Sequence, residues 1–218
     1  LKDVDFAVLS HAHYDHANGM EKFFEINEKA PFYLQEGCGE NCYFKKGFIR
    51  KYIGIPKGIT KKYQDRIEYV SGVYTVADGI YLVSHSTPHL EQIGKKEMMY
   101  QKTKLGWKPD NFCHEQSLVL DTDGGLVIFN SCSHGGVVNI INEVKAAFPN
   151  KKITALIGGF HIFKHPEAEI RELAKLIKET GIERIYTGHC SKERGYRILR
   201  EELGDMAGQF YVGMELEF

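Results

Sequence analysis

The chain has 218 residues, 43% of them hydrophobic and 12% aromatic, which is enough to bury one sizeable core. A formal net charge of −1, from 28 Lys and Arg against 29 Asp and Glu, argues against nucleic acid or an anionic membrane as a partner. Five cysteines without a disulfide-rich pattern are typical of a reducing compartment. We therefore expect a cytoplasmic protein with a small-molecule substrate, no nucleic-acid partner and no membrane span. The composition leaves the oligomeric state open.

The first elements in chain order frame a polar stretch. The apolar run over residues 4–9 predicts a buried strand. After the polar residues 10–19, apolar side chains recur at helical spacing over residues 19–29. Pro31 then precedes a short apolar strand over residues 32–34. The polar stretch is therefore expected in the turn between a strand and a helix.

The middle of the chain has weaker periodicity. Residues 37–59 are rich in Gly, Lys and aromatic side chains without a sustained period, which predicts loops and short helices. Residues 66–84 alternate in blocks separated by glycine turns, as antiparallel strands do. Residues 91–111 carry five lysines, which is typical either of a solvated flap or of a lid over an anionic substrate. We expect residues 37–111 to form an insertion that shapes a pocket.

The second half of the chain has the clearest pattern. An Asp- and Gly-rich turn at residues 121–125 predicts a β-hairpin over residues 117–130. Helices and strands then alternate, which predicts βαβ packing. The predicted elements are a helix over 137–148, a strand over 153–157, a helix over 166–180 and a strand over 185–186.

The polar stretch contains four potential metal ligands within six residues, His11, His13, Asp15 and His16. If strand geometry continues through His13, the two leading imidazoles lie on one face, about 6 to 7 Å apart at the backbone. That separation lets both rings hold one ion. Asp15 and His16 follow on the turn, where they can hold a second ion or orient a metal-bound water. This pattern after a buried strand indicates a metal site.

Three further histidines each follow a predicted strand. His134 lies in a Ser-His-Gly-Gly turn, His161 ends a Gly-Gly-Phe-His run, and His189 follows the last predicted strand. If these strands are neighbours, their ends lie at one edge of the sheet and the three imidazoles converge there. The alternative is that each ring caps a nearby helix or fills polar space.

The run from His11 to His16 resembles the His-x-His-x-Asp-His signature of the metallo-β-lactamase superfamily. The resemblance implies an α/β fold, an αββα sandwich, and a single domain over residues 1–218. Members of the superfamily normally have several strands before this motif, whereas ten residues precede His11 here. The first N-terminal strands are therefore expected to be missing from this chain. Four later segments look like the branch that contains the archaeal dihydropterin ribofuranosylaminobenzene phosphate synthase and many metal-dependent hydrolases; they are residues 115–118, 131–136, 158–161 and 188–190.

Two sets of ligands follow from the motif and the strand ends. One ion is assigned to His11, His13 and His134, and the other to Asp15, His16 and His189. We expect one or two divalent transition-metal ions, zinc first, with manganese or iron also compatible with mixed nitrogen and oxygen ligands.

Two positions leave alternatives open. By the resemblance, the usual third histidine of the first metal falls near His114, so His114 competes with His134. We prefer His134 because a glycine turn at a strand end suits a ligand better than a residue that enters a hairpin strand. Cys132 stands where superfamily members carry a bridging aspartate, and is either a thiolate ligand or a small buried side chain.

Hydrolysis by a metal-activated water is the expected chemistry, on a phosphate ester, a phosphodiester or a lactone, with an anionic substrate favoured. Asp15 would orient the water and relay its proton, and His161 would protonate a leaving group or contact a phosphate oxygen. Two alternatives remain: a pterin-pathway synthase, and a metal-binding regulatory or structural protein that has lost turnover because Cys132 replaces the aspartate.

Overall fold

The computed structural model describes residues 1–218 and consists of short strands and helices. The fourteen strands are β1 (Ala7–Val8), β2 (Phe32–Gln35), β3 (Cys42–Lys46), β4 (Ile49–Tyr52), β5 (Ile67–Val70), β6 (Val73–Ala77), β7 (Ile80–Ser84), β8 (Met99–Thr103), β9 (Gly106–Pro109), β10 (Gln116–Thr122), β11 (Gly125–Asn130), β12 (Ile153–Gly158), β13 (Arg184–Thr187) and β14 (Ala207–Gln209). The seven α-helices are α1 (Tyr14–Ala17), α2 (Met20–Ile26), α3 (Ile59–Lys62), α4 (Glu91–Lys96), α5 (Val137–Ala147), α6 (Glu167–Glu179) and α7 (Lys192–Leu203).

The chain separates into two compact units. The N-terminal unit comprises Leu1–Gly72 and Ser84–Gln116, and the C-terminal unit comprises Val73–Val83 and Ser117–Phe218. The expected single domain over residues 1–218 stays a prediction.

The N-terminal unit contains two sheets. Strands β1, β2 and β5 form a parallel sheet in that order. Helix α2 packs on it through Phe23 and Phe24, whose ring centroids lie 5.3 and 5.4 Å from that of Phe32. Strands β4, β3, β8 and β9 form an antiparallel sheet in that order. The predicted strand, helix and strand at the start of the chain are therefore confirmed, although β1 is shorter than the apolar run.

Two predictions for the middle of the chain are wrong. Residues 37–59 contain the β3–β4 hairpin. Its strands were not predicted because aromatic side chains pack on one another there, and the sequence does not alternate between apolar and polar residues. The ring centroids of Tyr43 and Tyr52 lie 5.1 Å apart, and those of Tyr43 and Trp107 lie 4.9 Å apart. Antiparallel strands were expected over residues 66–84, but β5 pairs parallel with β2. Within these residues only β6 and β7 pair antiparallel with each other.

The C-terminal unit is built on one seven-stranded sheet, with the order β14-β13-β12-β11-β10-β7-β6. The β10–β11 hairpin is antiparallel, and β11 to β14 run parallel with helices between them, so the predicted hairpin and βαβ packing are confirmed. Helices α5, α6 and α7 bury apolar side chains in the same core as β11, β12 and β13. Helix α7 and strand β14 went unpredicted.

The carboxyl ends of β11, β12 and β13 lie side by side. Asn130 pairs with Gly158, and Gly158 pairs with Thr187, so the three strands end at the same level of the sheet. The turns that leave these ends contain the three C-terminal histidines singled out in the sequence. Parallel strands therefore bring these three turns to one edge of the sheet.

The helices are short or amphipathic throughout. No helix in the structure is both long and apolar enough to cross a membrane.

Candidate metal centre

The polar stretch after β1 is anchored by backbone hydrogen bonds within the N-terminal unit. The amide of Tyr14 donates to the carbonyl oxygen of Ile53 at 2.8 Å. The amide of Gln116 donates to the carbonyl oxygen of Ser10 at 2.8 Å, and its side-chain Nε2 donates to that of Leu9 at 3.0 Å. The segment that carries the motif is therefore held by neighbouring strands before His11 and again at Tyr14.

His11, His13, Asp15 and His16 lie together, and we call them the histidine cluster. The ring centroid of His11 lies 4.8 Å from that of His13 and 4.4 Å from that of His16. The donor atoms of His11, Asp15 and His16 all lie within 4.8 Å of one another. The structure therefore brings together all four ligands that the sequence predicts in this stretch.

Burial keeps the two leading imidazoles of the histidine cluster neutral. His11 and His13 are 0% and 4% exposed. Burial, with the neighbouring His13, holds the pKa of His11 well below 6.5, and burial with His114 lowers the pKa of His13 to about 3. A neutral imidazole presents a lone pair, which is the form that binds a metal ion.

His114 lies beside the histidine cluster, with its ring centroid 5.3 Å from that of His13. Its Nδ1 accepts a hydrogen bond from the Ala12 amide at 3.2 Å, and its Nε2 lies 3.0 Å from Oδ2 of the buried Asp110. Burial lowers the pKa of His114 and the Asp110 carboxylate raises it, with a net upward direction. The Ala12 amide opposes a second proton, because Nδ1 must stay unprotonated to accept its hydrogen bond. With both ring nitrogens engaged, His114 is placed to support the motif backbone.

Asp110 was not singled out in the sequence. Its Oδ1 accepts hydrogen bonds from Gln101 Nε2 and from the Phe112 amide, both at 2.9 Å. The donor atoms of His13, Cys42, Asp110 and His114 lie within 4.8 Å of one another. An aspartate in a lysine-rich segment gives no sequence signal, since nothing in the surrounding residue types marks Asp110 as a partner of His114.

A buried acid–base pair also went unpredicted. Nε2 of His85 lies 2.5 Å from Oε2 of Glu115, and their side chains are 5% and 0% exposed. The side chain of His85 is therefore buried, whereas that of the nearby His89 is 74% exposed.

In the C-terminal unit, three turns at the sheet edge are bonded to one another. The amide of Gly159 donates to the carbonyl oxygen of Ser131 at 2.9 Å, and that of Phe160 donates to Oγ of Ser191 at 3.0 Å. The amide of Gly188 donates to the carbonyl oxygen of Gly158 at 3.3 Å. These bonds link the turns after β11, β12 and β13.

The backbone of these turns adopts an unusual conformation. Ser133, His161 and His189 have φ of 50°, 50° and 49°, in the left-handed region that favours glycine. Such strain is maintained only by surrounding structure and clusters at functional sites. His189 is exposed, whereas His134 is buried with its ring centroid 4.3 Å from that of His161.

His161 has two sulfur neighbours. The donor atoms of Cys132, His161 and Cys190 lie within 4.8 Å of one another, and we call these residues the thiol cluster. A hydrogen bond with Cys132 lowers the pKa of Cys190 to about 5 against the effect of burial, with further help from His161. The assignment of His134 and His189 to metal ions, and of His161 to proton transfer, stays a prediction.

Comparison with known proteins supports the resemblance. Residues 1–95 match the family model of the metallo-beta-lactamase superfamily. The chain is 27% identical to the 7,8-dihydropterin-6-methyl-4-(beta-D-ribofuranosyl)-aminobenzene-5'-phosphate synthase of Methanocaldococcus jannaschii, over all of this chain and 76% of that protein. It is 26% identical to an uncharacterised protein of the same organism, over 72% of this chain and 58% of that protein.

A solved structure matches nearly the whole chain. It is the crystal structure of Tm1679, described as a metal-dependent hydrolase of the beta-lactamase superfamily. The TM-score is 0.81 at 26% sequence identity, over 97% of this chain and 78% of that one. The expected α/β fold is therefore confirmed.

Proposed function

We propose that this chain, which has the fold of the metallo-β-lactamase superfamily, is a hydrolase that depends on divalent metal ions held by the histidine cluster. The observation that carries the proposal is that this cluster brings three imidazoles and one carboxylate together on an anchored segment. The solved structure of similar fold that is described as a metal-dependent hydrolase supports the same chemistry.

The donor set fits a transition-metal ion. Nitrogen ligands with one carboxylate oxygen suit zinc, and manganese or iron tolerate the same mixture. The low pKa values of His11 and His13 keep both rings ready to bind at neutral pH. We infer one or two ions per chain, with zinc as the first candidate.

Bound divalent ions would supply an acidified water and polarise the electrophilic centre of the substrate. Asp15 would orient this water and accept its proton. Its side chain is 43% exposed, and its Oδ2 lies 3.5 Å from Nε2 of His16, so the carboxylate is held in place yet open to solvent. We assign to the half-buried His161 the donation of a proton to the leaving group.

An anionic substrate is favoured by a cation next to the motif. Nζ of Lys51, on β4, lies 5.7 Å from the ring centroid of Tyr14, which stands between His13 and Asp15 in the chain. A lysine ammonium here would attract the charge of a phosphate ester or phosphodiester more than it would attract a neutral lactone.

The test uses the metal-loaded protein with p-nitrophenyl phosphate, bis(p-nitrophenyl) phosphate and a simple lactone. We expect turnover of at least one ester, loss of turnover after chelation, and its return with zinc or manganese. Lys51→Ala should raise KM for the anionic substrate by about 2- to 5-fold and leave the lactone unaffected. Lys22→Ala, which removes an exposed lysine of α2, is the matched control. Stoichiometric metal without turnover of any ester would favour the non-catalytic alternative.

A second candidate function is supported by the curated relative. The M. jannaschii synthase aligns with all of this chain, so a synthase acting on a dihydropterin and a ribosylated aminobenzoate phosphate is the alternative. The discriminating assay mixes the metal-loaded protein with these two partners. Formation of the condensed pterin without hydrolysis of the test esters would replace the hydrolase proposal.

A further inference from the structure

We propose that one face of the antiparallel sheet β4-β3-β8-β9 binds single-stranded nucleic acid without sequence preference. Successive side chains of a strand point to opposite faces of a sheet, and directly paired residues share a face. The paired Cys42 and Gln101 are buried, so their face is the covered one. We call the opposite face the aromatic face, and its residues are Tyr43, Tyr52, Tyr100, Trp107, Lys45 and Arg50.

The rings of the aromatic face are open to a ligand. All four aromatic side chains are half-buried, so part of each ring remains at the surface. Nζ of Lys45 lies 5.0 Å from the ring centroid of Tyr100, and the guanidinium carbon of Arg50 lies 5.3 Å from that of Trp107. Cation–π contacts at exposed sites are weak, so each cation can turn to a phosphate while a base stacks on the ring.

The charge of this sheet is positive throughout. The two hairpins, residues 42–52 and 99–109, contain seven Lys or Arg and no Asp or Glu. Because the whole chain has a net charge of −1, the remaining residues have a net charge of −8. The expectation of no nucleic-acid partner came from the net charge, which averages over this separation. A concentrated positive face attracts a phosphate backbone even when the whole protein does not.

A carboxylate near the aromatic face is already engaged. Glu40 raises the pKa of Tyr52, in addition to the larger effect of burial. Its carboxylate accepts hydrogen bonds from the amides of Gly58 and Thr60 at 2.6 and 3.1 Å. Nζ of Lys57 lies 4.8 Å from the ring centroid of Tyr52 and offsets this charge. Lys57 therefore keeps this edge of the face open to an anion.

The rings and the turns favour a single strand over a duplex or a membrane. Bases in a single strand expose their planes, whereas a duplex hides them in its stack. A membrane-binding sheet would place its exposed apolar tips side by side. Phe48 and Leu105 are fully exposed, but their turns lie at opposite ends of the sheet because β3 and β8 pair antiparallel. Both tips therefore cannot enter one membrane surface.

The test uses Trp107 as its probe, since it is the only tryptophan of the chain. The full chain is titrated with oligothymidylate of about 12 nucleotides, within the usual range of site sizes for single strands. We expect quenching of the tryptophan fluorescence, both with and without a chelator, so failure of the hydrolase proposal does not affect this result. Tyr211→Ala, which removes an exposed tyrosine outside the sheet, is the control and should leave the quenching intact.

Variants separate stacking from charge, with binding measured by the anisotropy of a labelled oligonucleotide. Trp107→Ala should weaken binding by about 5- to 150-fold, the usual effect of removing one stacking ring. Arg50→Ala should lower the slope of log affinity against log salt by about 0.7, the value for one phosphate of a single strand. Lys175→Ala, at an exposed lysine of α6, is the matched control and should not change the slope.

Three competitors decide the partner and keep the proposal falsifiable even if Trp107→Ala folds poorly. The duplex of the same sequence and heparin, a polyanion without bases, should each bind more weakly than the single strand. Vesicles of phosphatidylserine and phosphatidylcholine should leave the fluorescence unchanged. Equal affinity for heparin, tighter binding to the vesicles, or a salt slope that Arg50→Ala leaves unchanged would overturn the proposal.

Discussion

The histidine cluster and the thiol cluster are assembled in different ways. The first comes from six consecutive positions on one anchored segment, with nitrogen and oxygen donors. The second comes from three turns that are 29 residues or more apart in sequence, and it contributes two sulfurs. A local motif therefore shows its chemistry in the sequence, whereas a site made from strand ends is recognised only once the strand order is known.

The two clusters also differ in backbone strain. No residue from 10 to 19 has a positive φ, and His13 has an ordinary extended conformation with φ −91° and ψ 147°. The turns at the C-terminal sheet edge contain three non-glycine residues in the left-handed region, Ser133, His161 and His189. Because such conformations need support from their surroundings, the C-terminal turns depend on the fold more than the motif does.

The largest expected effect tests the role of the histidine cluster. His13→Ala should abolish turnover and lower the bound metal, because it removes a buried neutral imidazole from the donor set. Elemental analysis and kcat/KM on the best ester measure both effects. His89→Ala, at an exposed ring, is the matched control and should change neither. Unchanged metal content and activity in His13→Ala would remove the histidine cluster from the mechanism.

The next prediction tests whether His134 or His114 is the metal ligand. His134→Ala should lose metal affinity severely if its imidazole is a ligand. His114→Ala should lose about 10- to 100-fold, because its ring nitrogens support the Ala12 amide and Asp110 instead. Zinc competition with a chromophoric chelator measures both variants. A severe loss in His114→Ala with little change in His134→Ala would reverse the assignment.

The sequence predicted much of this arrangement, for physical reasons that differ between regions. The motif could be predicted because its candidate ligands lie close together in the sequence. The βαβ half could be predicted because its apolar runs are regular and bounded by glycine turns. The β3–β4 hairpin was missed because Tyr43 and Tyr52 pack on each other at a half-exposed surface, without a buried apolar face.

The carboxylate partners of two histidines escaped prediction for another reason. Asp110 lies 4 residues before His114, and Glu115 lies 30 residues after His85. The residues around each carboxylate in the sequence do not distinguish it from a solvent-exposed carboxylate. Cys190 follows a histidine and gave no signal, since its partner Cys132 lies 58 positions away.

A smaller effect tests the buried network beside the histidine cluster. Burial would raise the pKa of Asp110, but His114 and the Phe112 amide lower it from 3.8 to about 2. A lowered carboxyl pKa stabilises the fold above pH 3.8, and this contribution is lost as the pH falls through 2. The difference between the two pKa values corresponds to about 2 kcal/mol in the free energy of unfolding.

Urea unfolding of the metal-free protein at pH 6 and pH 2.5 measures this contribution. Asp110→Asn should have a lower free energy of unfolding than the parent at pH 6. This difference in free energy should be smaller at pH 2.5. Glu25→Gln, at a half-exposed carboxylate on α2, is the control and should follow the parent at both pH values. A gap that stays constant with pH would show that Asp110 does not titrate as described.

The smallest expected effect tests the backbone strain in which the C-terminal turns differ from the histidine motif. Ser133 has a φ of 50°, where a side chain costs about 1 kcal/mol or more and glycine costs nothing. Both Ser133→Gly and Ser133→Ala remove the hydroxyl, so their difference isolates the backbone. We expect the glycine variant to be more stable than the alanine variant by about 1 kcal/mol in urea unfolding. At Ser131, which does not have a positive φ, the order should reverse because glycine is more flexible in the unfolded chain. The same order at both serines would mean that the C-terminal turns hold no more strain than the motif does.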